Sequence, residues 1–127
     1  MTKVKVIGWT ILFLVFMLLN LGIFGRYNYY TAKFDILRNS PKLVVVGLPI
    51  LAGEDSHTLT KKYGFQHSFY GCVVGNPVEM ELIDAYNAEI EKHLNRINGE
   101  GWKEDYKGER DSLFKIKYSK LTTSNSQ

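Results

Sequence analysis

The sequence predicts an α+β chain: one N-terminal transmembrane helix followed by a small βαβα domain, with a further C-terminal helix or edge strand. Three observations predict it. An uncharged, mostly apolar run from Val6 to Gly25 lies between Lys5 and Arg26. A continuous β-branched run, Leu43-Val44-Val45-Val46, is separated by a short helical pattern from a second strand-like segment. Apolar residues at helical spacing then extend from Leu82 to Ile97.

The first run holds about twenty residues, which at about 1.5 Å per helical residue covers about 30 Å, the thickness of a hydrocarbon core. Lys3 and Lys5 would also suit the positive start of a cleaved secretory signal. Two features favour a retained anchor instead. The stretch exceeds a signal core of about seven to fifteen residues, and no small-x-small cleavage triplet comes after it. The run gives way directly to Arg26-Tyr27-Asn28-Tyr29-Tyr30, whose rings suit the headgroup level of a bilayer. The expected organisation is therefore a signal-anchor transmembrane helix over residues 1–26, a juxtamembrane connector over 27–41, a small α/β globular domain over 42–120 and a disordered polar tail over 121–127. The expected location is the cytoplasmic membrane, crossed once. Basic residues on the two flanks nearly balance, so the extracytoplasmic placement of the domain rests on the signal-like position of the run.

Beyond Arg26 the pattern marks one core. Residues 27–40 read as a connector, or a continuation of the anchor helix, stopped before Pro41. Lys42 to Leu48 is the first strand, apolar enough to be covered on both faces. Pro49 and Gly53 end it, and a short helix runs from Asp55 or Ser56 to Tyr63. Leu59 and Tyr63 share its apolar face, Lys61 and Lys62 complement its negative end, and Gly64 stands where a left-handed C-cap is needed. Phe65 to Val74 is the second strand. The crossover is long enough for a parallel βαβ unit.

Asn76-Pro77-Val78-Glu79 opens the best-defined helix. Asn76 is a good N-cap, Pro77 suits the first helical position, and Glu79 can reach back to complete a capping box. Leu82, Ile83, Tyr86, Ile90, Leu94 and Ile97 fall on one stripe, and Gly99 ends the helix. Trp102 and Tyr106 keep a helical spacing. Phe114, Ile116 and Tyr118 alternate with polar residues, which leaves an edge strand and a continued helix both open there.

Composition removes several function classes. The 16 basic residues exceed the 13 acidic ones by three, and Lys3, Lys5 and Arg26 beside the apolar run account for that difference. A near-neutral domain lacks the concentrated basic surface that nucleic-acid binding needs. Cys72 stands alone, so no internal disulfide can form. His57, His67, His93 and Cys72 match no metal-ligand spacing, and neither phosphate-loop pattern occurs, so no metal or cofactor is expected. Cys72 is the one thiol nucleophile available, and His67 is the nearest histidine. Five residues apart on one strand, the two side chains point to opposite faces unless Gly71 makes a bulge. They are the weak catalytic candidates.

Several short segments carry a resemblance: Ala32-Lys33 with Asp35-Ile36, Gly47-Leu48-Pro49, Lys61-Lys62-Tyr63-Gly64-Phe65, Gly71-Cys72-Val73-Val74, Tyr86-Asn87, Leu94, and Asn98-Gly99 with Trp102. In this order they resemble the FEKKY-domain family of small bacterial proteins. The chain has Leu59-Thr60 where the naming motif has Phe and Glu. The resemblance implies an N-terminal membrane segment and a cell-envelope setting, and supplies no catalytic residues.

Two function classes remain. The first is a membrane-anchored, non-enzymatic interaction module that binds another envelope protein or a second copy of itself and no nucleic acid. A two-stranded parallel core is thin, so it recruits a third strand or exposes an edge to a partner. The alternative is a small-molecule-binding or thiol-based enzymatic domain using Cys72 and His67, with aromatic walls from Tyr63, Phe65, Phe69 and Tyr70.

Overall fold

Helix dominates the chain. The computed structural model describes residues 2–20, 26–49, 51, 53–71 and 75–124. These form α1 (Thr2–Asn20), α2 (Tyr29–Leu37), β1 (Lys42–Val45), α3 (Glu54–Lys62), β2 (Gln66–Phe69), α4 (Pro77–Asn98) and α5 (Trp102–Ser124). Five helices and a two-stranded sheet replace the expected α+β balance, for two physical reasons. The strands stop early, and segments expected to be connector, edge strand or tail are wound into α2 and α5.

The transmembrane expectation is corrected as well. Among the described residues no helix is long and apolar enough to cross a membrane. Helix α1 carries Lys3 and Lys5 near its start, so its uncharged part, Val6 to Asn20, is about 15 residues, roughly 22 Å. That falls short of a hydrocarbon core of about 30 Å. The remainder of the expected span, residues 21–25, lies outside the described residues. The membrane, transmembrane-helix and signal-anchor readings therefore do not stand. The single-pass localisation and the extracytoplasmic placement that depended on it fall with them.

Asn28 starts α2. Its side-chain oxygen accepts from the backbone N–H groups of Tyr30 (2.9 Å) and Thr31 (3.0 Å), and Thr31 Oγ1 accepts in return from the Asn28 N–H (2.9 Å), a complete capping box. Helix α2 packs along α4, with Ala32 fully buried. The segment expected as a connector thus contributes Tyr27, Asn28 and Ala32 to the interior.

Strands β1 and β2 run parallel, with Lys42 opposite Gln66 and Val45 opposite Phe69. The first strand ends three residues before Leu48 because Gly47 takes a φ of +112°, which few side chains tolerate. Leu48 is accordingly exposed. Helix α3 ends where Gly64 adopts φ +82°, the left-handed position expected there. The expected second strand reached Val74; β2 stops at Phe69, and residues 72–74 lie outside the described residues.

Helix α4 closes one face of the sheet. Ile83, Tyr86, Ile90 and Leu94 are buried, whereas Ile97 at the end of the stripe is exposed. Asn76 Oδ1 accepts from the Glu79 N–H at 2.9 Å, as an N-cap should. The expected capping box is only half made, since the Glu79 carboxylate accepts from the Tyr70 hydroxyl instead. Val44 and Ser68 share the face toward α2 and α4, where the Tyr27 hydroxyl bonds Ser68 and the Tyr86 hydroxyl donates to Asp35 Oδ2 at 2.7 Å. Burial, followed by the Asp35 hydrogen bond, raises the Tyr86 phenol far above the ordinary tyrosine range.

On the opposite face, Phe65 and His67 meet α5. Trp102, Tyr106, Glu109 and Leu113 recur at helical spacing, which settles the choice between strand and helix in favour of helix through Phe114 to Tyr118. The expected disordered tail is helical to Ser124, and residues 125–127 lie outside the described residues.

Candidate functional site

β2 is four residues long, and its midpoint carries His67, the one histidine drawn into the packed interior. The parallel register puts His67 on the same face as Leu43, and that face is covered by α5. The imidazole sits among aromatic rings: Phe65 at 5.3 Å, Phe69 at 5.7 Å and Tyr106 at 6.1 Å between centroids. Nε2 shares a 2.7 Å hydrogen bond with the Tyr106 hydroxyl, and Nδ1 is buried with no hydrogen-bond partner among the described residues. Burial lowers the His67 pKa from its ordinary 6.5, against a smaller opposing pull from the Leu43 backbone, and the Arg110 charge adds to the lowering.

That depression makes a testable statement about stability. A histidine held neutral by the fold contributes fully above its unfolded pKa, and the contribution is lost as pH falls through the lowered folded value. Stability should therefore decline as pH drops below about 6.5, and His67→Gln should flatten that decline. His93 is lowered too, first by burial and then by Arg96, whose guanidinium donates to its Nδ1 at 3.0 Å. A residual slope in the variant is expected from that source. Urea melts at several pH values check the sign; equal slopes in both proteins would refute it.

Around His67 lies a cleft of about 220 Å³. Ser56, His57 and Thr60 of α3 form one wall, Gln66, His67 and Phe69 of β2 the other, and Leu51 with Gly53 closes the end. Phe69 is 47% exposed at its rim. Thr60 is buried, with its hydroxyl donated to the His57 carbonyl at 3.1 Å. The wall is braced from behind: Lys62 Nζ reaches both Glu109 oxygens (2.6 and 2.8 Å), and the Tyr63 hydroxyl donates to Oε1 (2.8 Å). Lys62, then Tyr63, lowers the Glu109 pKa, while burial and Glu109 together push Tyr63 up to about 12.

The sequence-level candidates are scattered by this geometry. Cys72 lies outside the described residues. His67 is committed to Tyr106, which is 39 residues away and unreachable by any local pattern. His57 is exposed on α3, and His93 lies on α4 beside Arg96. Of the expected aromatic walls, Tyr63 and Phe65 are core residues, Phe69 lines the cleft, and Tyr70 faces Tyr27 and Glu79. The Glu79 hydrogen bond, and after it burial, raises the Tyr70 pKa. Among the described residues no group of three or more His, Cys, Asp or Glu side chains could hold a metal ion. Sequence reasoning missed Thr60, Ser56 and Gln66 as cleft residues; polar residues at ordinary positions left no signal.

No protein-family model, no curated protein and no solved structure matches this chain.

Proposed function

We propose that the chain is a non-enzymatic protein-binding module whose binding face is the cleft between α3 and β2. The observation that supports this is the cleft itself: an open groove floored by a sheet edge, with Phe69 left 47% exposed beside it. A nucleophile and a base within hydrogen-bond reach would support catalysis, and His67 spends its bonded nitrogen on a tyrosine. The near-neutral composition beyond Arg26 favours a protein partner over nucleic acid.

Site-specific photo-crosslinking tests the reading. Benzoylphenylalanine at Phe69 should give a discrete protein adduct in cells, whereas the same probe at Glu81, exposed on α4, should not. Identical adduct patterns at the two positions, or none at Phe69, would remove the cleft as the binding face.

A further inference from the structure

Helix α5 is attached to the body of the molecule by side chains. Among the described residues no backbone–backbone hydrogen bond joins it to a strand or to another helix. Its apolar hold is the inward face of Trp102, Tyr106 and Leu113, and the ion pairs Lys103–Glu91, Lys62–Glu109 and Lys117–Asp55 beside that face are all exposed. Gly99-Glu100-Gly101 connects it to α4. These three residues are exposed, Gly99 takes φ +89°, and a Cβ added at either glycine would meet nothing within 4 Å. The chain can turn there without unpacking anything. The other face of the sheet is closed separately, by α2 and α4 packed over Val44 through Tyr27, Ala32, Ile83 and Tyr86.

His67 is the titratable group through which the sheet meets α5. Its Nε2 is engaged with the Tyr106 hydroxyl, and its Nδ1 is buried. Protonation places a hydrogen on both ring nitrogens, so the Nδ1–H becomes a charged donor with nothing to receive it beyond a weak pull from the Leu43 backbone. The neighbouring elements do not suit that charge. Strand β2 offers the rings of Phe65 and Phe69, and α3 offers His57, itself a base. Helix α5 brings the Arg110 guanidinium, which repels it. The acids on α5 are turned elsewhere: Glu109 to Lys62 and Tyr63, Asp111 to Arg110, and Asp105 toward Tyr63. Among the described residues none forms an ion pair with the imidazole.

We propose that α5 is a strap loosened by acid: when His67 takes a proton, Trp102–Ser124 swings off the sheet about the Gly99-Glu100-Gly101 hinge, while α2, α4 and the sheet stay packed. Undocking gives the imidazolium water and separates it from Arg110, whereas docking holds it among aromatic rings. The docked state keeps the His67 pKa below 6.5, so docking has its full strength above about 6.5 and loses it as pH falls through the lower docked value. Lys62, then Tyr63, holds the Glu109 pKa below the ordinary carboxylate value, so that ion pair persists across the same range. One proton shifts the equilibrium only by its differential affinity for the two states. The buried Trp102 therefore keeps the docked form in the majority, and acid changes how often α5 opens.

Hydrogen exchange of the full chain, read by mass spectrometry and corrected for the intrinsic pH dependence of amide exchange, tests the strap because it senses rare openings segment by segment. Between about pH 7 and about pH 5, protection over residues 102–113 of α5 should fall by about threefold or more, with residues 83–94 of α4 unchanged. His67→Gln offers Tyr106 a hydrogen-bonding group that takes no proton, and should abolish the fall. Arg110→Gln removes a charge that lowers the docked pKa, so the fall should shrink, and this variant carries the test if His67→Gln does not fold. Equal loss of protection in α5 and α4 would mean that the molecule opens as a whole, and would overturn the strap. Constant protection of α5 across the range would overturn it too. So would a fall that persists in His67→Gln, or, where only Arg110→Gln folds, a fall of unchanged size.

Discussion

Replacing Trp102 with alanine should destabilise the chain by about 3–5 kcal/mol, a large part of the roughly 5–15 kcal/mol typical of a small domain. Trp102 is 2% exposed at the start of α5, and its ring meets Tyr63, Phe65 and Tyr106 at 5.8–6.3 Å between centroids. Its indole N–H donates to Asn95 Oδ1 at 2.6 Å, tying the first turn of α5 to the last turns of α4. The ion pair Lys103–Glu91 also joins α5 to α4, and Lys62–Glu109 joins α5 to α3, but both are solvent-exposed and contribute little. Without the indole, α5 keeps mainly Tyr106 and the partly buried Leu113 as apolar contacts. Urea unfolding followed by far-UV and near-UV circular dichroism should show a lower midpoint, and non-coincident curves if α5 departs first. Trp102→Phe, which retains a ring but gives up the Asn95 bond, should cost less than half as much. A loss below about 1 kcal/mol for the alanine variant would mean that α5 is not held by this residue.

What could be read from the sequence was local, and what could not was decided by distant partners. The start of α4 was legible because Asn76-Pro77 is a capping signal in itself, and the end of α3 because Gly64 can adopt φ +82° where other residues strain. The presence of both strands was legible from β-branched and aromatic runs. Their lengths were not, since pairing and the Gly47 turn set them. Helix α2 carries its own signal, Asn28 three residues before Thr31, but the surrounding tyrosines suit a headgroup belt equally well. The same ring of Tyr27 instead packs 5.1 Å from Tyr86 on the core side. Over Phe114 to Tyr118 a short alternation fits a strand as well as a helix, and only continuity with Trp102, Tyr106 and Leu113 decides between them. Of the site, His67 was visible as a candidate. Its bond to Tyr106 and the cleft formed with Ser56 and Thr60 depend on the crossover, which no local spacing encodes.

Asn87 should prove the most sensitive polar residue in the fold, and substituting it separates a structural seal from ordinary packing. Asn87 Oδ1 accepts from the Val44 N–H and Asn87 Nδ2 donates to the Val44 carbonyl, both at 2.9 Å, on the side of β1 away from β2, so Asn87→Ala leaves a donor and an acceptor on a buried residue to find water or remain unpaired. At about 1–3 kcal/mol for each unsatisfied group, with partial hydration at the edge, the expected loss is about 2–4 kcal/mol. Asn87→Asp is the sharper case, because it keeps the acceptor for the Val44 N–H and replaces the donor to the Val44 carbonyl with a repelling oxygen. When ionised, that carboxylate faces a carbonyl, so its folded pKa must lie above the unfolded value of about 3.9. A raised pKa fixes the sign: the stabilising, protonated form is fully present below the unfolded value and is lost as pH rises through the folded one. The aspartate variant should thus recover stability relative to the alanine variant as the solution is acidified toward about pH 4, the direction opposite to the His67 contribution, which weakens on acidification. Urea melts of the two variants side by side between about pH 4 and pH 7 cancel the shared His67 and His93 contributions. Parallel curves would show that the carboxamide does not occupy the place of a neighbouring strand at Val44.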